Sequence, residues 1–390
     1  LNHDGIPDVQ AGPFYYLGPD FKVARELYPP ATINVEGFVE SGGPEQPQAG
    51  AIVHGSYPPH FQSYIHDLNG DGWNDVVMMM AFGPRPTFSG HVFLNPRGEP
   101  RHWDNYEVIK VVPNEINPWA DIDGDGRPEL IGQLGTRADW TDNQWGYWKP
   151  DWSNATKAWT FTAISEKRRW GGHGGGVGDI NGDGRIDIVG PLGWWEQPPA
   201  GTTGLWKFHQ VALGRPELPT GPGSGGSDMS VYDVNGDGLA DVVTSIAAHG
   251  PGLAWFEQKK DGAFERHDIM GAPEDRKSPA GVAFAELHSL TYADMDGDGL
   301  KDIIAGKDWY SHGFVYQENE IDNPAVLYWF RLVRNPKAPG GAEFLPEMIH
   351  NNSGIGHQFT NADMNGDGAP DILTSARRGT FVFFNNTRKR

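Results

Sequence analysis

Apolar and polar residues alternate over short runs along this whole chain, and nowhere does the pattern settle into a helical period. Runs of β-branched and aliphatic residues (DVVMMM, ELIGQ, DIVG, DVVTSI, DIIAG, DILTS) are each followed, after a turn, by a run dense in aromatic rings. The aromatic runs are PFYYLG, HVFLNP, WGYWKP, GWWEQP, GLAWFEQ, VLYWFRLV and TFVFFNN. A more polar run comes next in most units, as in YEVIKVV (Tyr106 to Val112), WKFHQVAL (Trp206 to Leu213) and FERHDIM (Phe264 to Met270). A period near two with this enrichment predicts strands throughout and no amphipathic helix.

One acidic stretch punctuates every unit. DLNGDGWND carries oxygen side chains at Asp67, Asn69, Asp71 and Asp75. Copies place Asp121, Asp123, Asp125 and Glu129, then Asp179, Asn181, Asp183 and Asp187, then Asp233, Asn235, Asp237 and Asp241. Two further copies supply Asp294, Asp296, Asp298 and Asp302, and Asp363, Asn365, Asp367 and Asp371, while a shortened first copy, NHDGIPD, keeps Asn2, Asp4 and Asp8. Oxygens at loop positions 1, 3, 5 and 9, with a backbone carbonyl expected at 7 and glycines at 4 and 6, suit a hard cation. Calcium takes several oxygen ligands, and glycine lets the backbone turn tightly around it. The spacing resembles the start of an EF-hand loop, but the closing carboxylate stands at position 9 and a strand follows, so the loop is not an EF-hand. The plainer reading is a set of acidic turns with no metal.

Measured at the fifth loop position, the copies stand 54 to 69 residues apart. A strand-rich, aromatic-rich repeat of that size reads as one β-propeller blade. Seven copies predict an all-β fold, one seven-bladed β-propeller domain over residues 1–390, with structural calcium loops on one face. The starts of the inner strands and the turns after the second strands would then share the opposite face. Blade one lacks an innermost strand and blade seven has almost nothing after FFNN. Because an open ring exposes unpaired edges, either a segment precedes Leu1 or both end blades are three-stranded. Insertions lengthen residues 134–145 and 307–325 after second strands, and 40–60, 214–227 and 271–287 ahead of inner strands. Long loops in compact domains are commonly functional.

The net charge of −20 sits largely in the acidic loops, so it is read as metal-site acidity. No basic patch is visible apart from the closing RKR, which argues against nucleic acid as a partner. With no cysteine there is neither a disulfide frame nor thiol chemistry. No apolar run is long enough to span a membrane, and no leader opens the chain. Weak calcium loops favour a secreted or periplasmic location.

Six residues ahead of the loops stand Phe61 (beside His60), Glu115, His173, Ser227 (beside Asp228), His288 and His357. Four histidines thus share one structural position, where inner strands begin. They line a wet channel as satisfied polar groups, or they serve as general bases, substrate ligands or ligands of one further divalent ion near the axis. The turns after the second strands add Arg85, Arg137, His249, Lys307, Tyr310, His312, Arg377 and Arg378, with Trp194 and Trp195 opening a third strand. Aromatic faces stack on sugar C–H surfaces and guanidinium groups pair with carboxylates, so this face suits a sugar acid. GxSxG, GxxxxGK and HExxH are absent.

The repeated DxNGDGxxD loops resemble the FG-GAP or VCBS class of seven-bladed propellers, a class that includes integrin heads, lectin-like modules and enzymes. Within it, GGHGGGVGDINGDGRIDIVGPLGWWEQP, with inner strands entered through HSL and GHQF, is similar to the propeller of aldos-2-ulose dehydratases and to the lyases that cleave rhamnose from glucuronic acid. The likeness is to the propeller without its cupin domains, so it implies the elimination and not the second, isomerising step. It implies a base that removes a proton α to a carbonyl or carboxylate and an acid that protonates the departing oxygen. His173 or His288 is the expected base, with His60 in the same set, and His357 or Tyr310 the acid. Arg137 or Lys307 would hold the anionic group, with Asp228, Glu115, His249, His312, Trp194, Arg85 and Arg377 lining the substrate site.

The sequence therefore supports a carbohydrate lyase or dehydratase, with a non-catalytic, calcium-stabilised lectin or adhesion propeller as the alternative. A glycoside hydrolase would need a carboxylate pair, for which Glu115 and Asp228 are the candidates.

Overall fold

The computed structural model describes residues 1–30, 60–82, 87–135, 142–214, 225–271, 279–309 and 324–387. The backbone gathers into two compact units. Among the described residues the first comprises those of Leu1–Pro113 and Lys149–Thr160, and the second those of Asn114–Trp148, Phe161–Trp309 and Asn323–Arg390.

In the first unit β1 (Val9–Ala11), β2 (Phe14–Leu17) and β3 (Val23–Glu26) form a three-stranded sheet. A four-stranded meander follows, of β4 (His60–His66), β5 (Asp75–Phe82), β6 (Thr87–Leu94) and β7 (Asp104–Val112). Alternation decides its core: Val76, Met78 and Met80 leave one face of β5 and pack with Leu27, Phe93 and Trp103.

The second unit repeats the meander. Apart from the edge residues Lys149 and Thr160, it contains β8 (Trp119–Ala120), β9 (Glu129–Leu134), β10 (Gln144–Lys149) and β11 (Thr160–Ala163) as one sheet. Next come β12 (Gly175–Gly178), β13 (Asp187–Gly190), β14 (Gly193–Glu196) and β15 (Lys207–Gln210), then β16 (Asp228–Tyr232), β17 (Asp241–Ser245), β18 (Leu253–Gln258) and β19 (Phe264–Met270). The sheet of β20 (Leu290–Ala293), β21 (Asp302–Gly306), β22 (Leu327–Arg334) and β23 (Ala342–His350) precedes a three-stranded one of β24 (Phe359–Ala362), β25 (Asp371–Ala376) and β26 (Gly379–Phe383).

These are antiparallel blade units of the β-propeller class, and the fold is all-β. Among the described residues there is no α-helix, and a 3-10 turn stands at Pro339–Gly341. The expectation of seven blades is corrected to five four-stranded blades, with the first and last repeats forming three-stranded sheets. The reason lies in strand supply: β1 follows the first acidic loop with no described strand ahead of it, and no described strand follows β26. The innermost strands β12 and β16 also pair in parallel, which joins two blades into one eight-stranded sheet. Glycine permits this approach, since a Cβ on Gly176 would collide with the Met229 carbonyl. Parts of the insertions at 40–60, 134–145, 214–227, 271–287 and 307–325 lie outside the described residues.

The aspartate at the ninth position of six acidic loops is a brace, and Glu129 at that position accepts from Ile122 N. Asp75 accepts the backbone N–H groups of Leu68 and Asn95 at 3.1 and 2.9 Å, tying the loop's second residue to the end of the third strand. The same pair of bonds recurs at Asp187 from Ile180 and Gln197, at Asp241 from Val234 and Gln258, at Asp302 from Met295 and Leu332, and at Asp371 from Met364 and Asn385. Asp8 accepts from Leu1 and Gly18 in the same way. Burial of these carboxylates is therefore offset by two hydrogen bonds each.

Candidate functional site

The second unit brings the inner-strand histidines together. Glu115 stands ahead of β8, His173 ahead of β12, His288 ahead of β20 and His357 ahead of β24, while His249 follows β17 and Asp308 follows β21. Backbone bonds knit these segments: Glu115 N donates to Gly172 O at 3.0 Å, Ala248 N to Gly225 O at 3.0 Å, and Asp308 N to Glu286 O at 2.9 Å.

Ring centroids of His173 and His249 lie 4.8 Å apart, those of His249 and His288 5.0 Å, and those of His288 and His357 4.5 Å. Carboxylates fill the gaps. Glu115 Oε2 lies 3.0 Å from His173 Nε2 and 3.8 Å from His357 Nε2. Asp308 Oδ2 lies 2.7 Å from His357 Nδ1 and 4.0 Å from His288 Nδ1, and Glu286 Oε2 lies 3.2 Å from the same His288 nitrogen. Glu115, His173, Glu286, His288 and Asp308 are all buried.

Two sets of three, His173/His249/His288 and Glu115/His288/His357, each place their ligand atoms within 4.8 Å of one another. Among the described residues the buried Nδ1 of His173 has no hydrogen-bond partner, and its Nε2 faces Glu115. Imidazole with carboxylate suits a first-row transition dication better than calcium, and such an ion would compensate several buried carboxylates at once. The donors present therefore fit a divalent metal. Glu286 reaches the centre from a left-handed backbone, φ 62°, a conformation that costs a non-glycine residue energy and concentrates at functional positions.

Lys307, predicted to hold an anion, is buried immediately before Asp308. Trp309 follows, and the guanidinium of Arg378, in the exposed β25–β26 turn, lies 3.8 Å above its ring. Arg377 shares that exposed turn. Asp228 takes a different part from the expected one: its carboxylate accepts Ser289 Oγ at 2.9 Å and Leu290 N at 2.8 Å, holding the chain just beyond His288. Burial pushes it up to about 6 despite those donors.

His60 belongs to the first unit, where its Nδ1 meets Tyr28 Oη at 3.3 Å, and burial pushes its pKa down to about 4. Trp194 is also displaced from the expected site: it is buried, facing away from Trp195 on β14, and stacks at 3.9 Å on His209. Arg85, Arg137, Tyr310 and His312 lie outside the described residues. Glu286 and Asp308 went unnoticed in the sequence, although Glu286 sits two residues before His288 in AELHSL and Asp308 beside Lys307.

In the acidic loops, carboxylates converge at Asp121/Asp123/Glu129 and Asp294/Asp296/Asp302. These are the two loops with Asp at the third position, and their donor sets fit a hard cation. The first residue of each full loop meanwhile accepts backbone N–H groups, as Asp121 does from Gly124, Asp125 and Gly126.

The sequence model of the FG-GAP-like repeat matches residues 233–305. No curated protein sequence matches the chain. Among solved structures, an Agrocybe aegerita lectin that recognises non-reducing terminal N-acetylglucosamine is 18% identical over 85% of this chain and 78% of its own, with a TM-score of 0.48. AofleA from Arthrobotrys oligospora is 11% identical over 84% of this chain and 83% of its own, with a TM-score of 0.44. The V. cholerae biofilm matrix protein Bap1 is 14% identical over 79% of this chain and 43% of its own, with a TM-score of 0.38. What these comparisons establish for this chain is the FG-GAP-like repeat at residues 233–305.

Proposed function

We propose that the protein binds carbohydrate at the histidine and carboxylate centre of the second unit, through a divalent ion held there. The observation that carries this reading is the convergence of His173, His249, His288, His357 and Glu115 on overlapping sets of ligand atoms. A metal so held is a Lewis acid for hydroxyl or carboxylate oxygens. Trp309, under the Arg378 guanidinium, supplies a ring face and a fixed cation beside it, which suits an acidic sugar. Calcium in the acidic loops would be structural, in keeping with a secreted or periplasmic protein.

Calorimetric titration with uronate oligosaccharides tests the reading. Binding is expected to disappear on chelation, return with Zn2+ or Mn2+, and be lost in His173→Ala and His288→Ala while the unfolding midpoint moves little. Binding that survives chelation and both substitutions overturns it.

A second reading, β-elimination, is favoured by the contact of His357 Nδ1 with Asp308 Oδ2 at 2.7 Å. The Asp308 carboxylate would fix the His357 ring so that its other nitrogen faces a proton α to a carboxylate, and a metal held by His173, His249 and His288 would supply charge stabilisation for the anion formed. Appearance of an unsaturated, ultraviolet-absorbing product that Asp308→Asn slows would favour elimination; saturable binding with no product would leave binding alone.

A further inference from the structure

A second polar constellation occurs twice in the second unit, away from the histidine and carboxylate centre. On β14 and β15, Trp194 stands opposite His209 and Glu196 opposite Lys207. The Trp194 and His209 rings are parallel within 3° at 3.9 Å, and Glu196 Oε2 holds His209 Nε2 at 2.8 Å and Lys207 Nζ at 2.9 Å. One blade later Trp255 stands opposite His267, stacked at 4.4 Å, and Glu257 holds His267 Nε2 at 2.7 Å and Lys259 Nζ at 2.6 Å.

The two copies differ in what lies against them. At the second copy the turn joining β22 to β23 lays Gly340 on the rings, so close that a Cβ there would meet Trp255 at 2.6 Å and His267 at 2.7 Å. At the first copy nothing lies within 4 Å of where a Cβ would stand on Gly262, in the turn between β18 and β19, and a cavity of about 770 Å3 opens beside Trp194 and His209, against about 590 Å3 beside Trp255 and His267. That volume is in the range of small-molecule sites.

The cavity wall is charged but balanced: Asp179, Glu196 and Asp233 are matched by Lys207, Lys259 and Lys260. A balanced wall gives no net attraction to an anion or a cation. It offers many acceptors and donors, which polyhydroxylated rings satisfy because each hydroxyl both donates and accepts. The His209 ring, clamped by Glu196 and backed by Trp194, presents a flat face for the C–H surface of such a ring, the role Gly340 plays at the other copy.

We propose that the cavity beside Trp194 and His209 is a binding site for an uncharged oligosaccharide. The site is distinct from the histidine and carboxylate centre, and the inference shares with the proposed function only the broad class of ligand.

The test titrates the full chain with cellotriose, chitotriose and mannotriose, with a uronate trisaccharide as the charged comparison, read by saturation-transfer NMR and calorimetry. At least one neutral sugar is expected to bind. Its affinity should fall about tenfold or more in His209→Ala, while chelation leaves it unchanged. Because His209→Ala also disturbs packing on Trp194, Lys207→Ala, on a largely exposed side chain, provides a second variant and should weaken the same sugar. Neutral-sugar binding lost in His173→Ala but kept in His209→Ala and Lys207→Ala would overturn this site and leave the proposed function standing. Uronate binding alone would do the same. Binding of a neutral sugar that survives chelation and depends on His209 supports this site whatever becomes of the metal centre, and binding of none of the sugars overturns both.

Discussion

His60 stands just ahead of an inner strand, as His173, His288 and His357 do, yet its near polar partner is Tyr28 Oη rather than a carboxylate. With little to stabilise a charge, burial pushes its pKa down to about 4, against an ordinary 6.5. The folded state thus keeps the ring neutral while the unfolded chain takes a proton below about 6.5. Stability from this residue is fully present above that pH and is lost as pH falls toward 4, by about 2–3 kcal/mol at most. Denaturant midpoints measured from pH 7 to 4 should fall more steeply in the parent than in His60→Gln; equal slopes would show that the histidine does not titrate with folding. The carboxylates facing His173, His288 and His357 set a different environment, one that suits a bound metal ion. Residue type alone made the four look alike; the neighbours that separate them come from other repeats.

At the scale of the strand, the parallel contact of β12 with β16 depends on side chains that are missing. Gly175, Gly176 and Val177 pair with Asp228, Met229 and Ser230, and Gly176→Val would drive its side chain into the Met229 carbonyl. A loss on the order of 3 kcal/mol is expected, with faster hydrogen exchange in β12 and β16 than in β20; protection unchanged in all three would show that the pairing is incidental. GGVG reads in sequence only as a weak strand, because glycine carries no alternation signal. By contrast, FERHDIM was legible to the residue, as β19 at Phe264–Met270, because alternating side chains and an adjoining turn mark both ends. Strand order within each blade followed from the acidic loop. The three-stranded ends stood as one of two readings. The convergence of the candidate site was legible where a fixed offset marked it, at Glu115, His173, His288 and His357. It was hidden at Glu286 and Asp308, whose positions follow from loop geometry and which no repeat echoes.

For the molecule as a whole, a net charge of −20 and a set of buried loop carboxylates create a strain that calcium would relieve. Burial pushes Asp75, Asp187 and Asp302 up to about 6 and Asp241 up to about 7 in the metal-free protein. Each is therefore held above its unfolded value, so its contribution is greatest at low pH and is lost as pH rises through 6 to 7. Between pH 6.5 and 8, above the range where His60 takes up its proton, the chelated protein should lose roughly 1 kcal/mol from these groups together. Added salt should recover part of the loss by screening the exposed charge. Calcium should reverse the slope, because a bound dication stabilises the ionised carboxylate and adds stability by mass action. Unfolding midpoints taken at pH 6.5 and 8, with chelator, with chelator and salt, and with calcium, check the whole chain of reasoning. Identical midpoints with chelator and with calcium at both pH values would mean that the loops are closed by their own hydrogen bonds, with Asp121 and its counterparts accepting the backbone N–H groups as the structure shows.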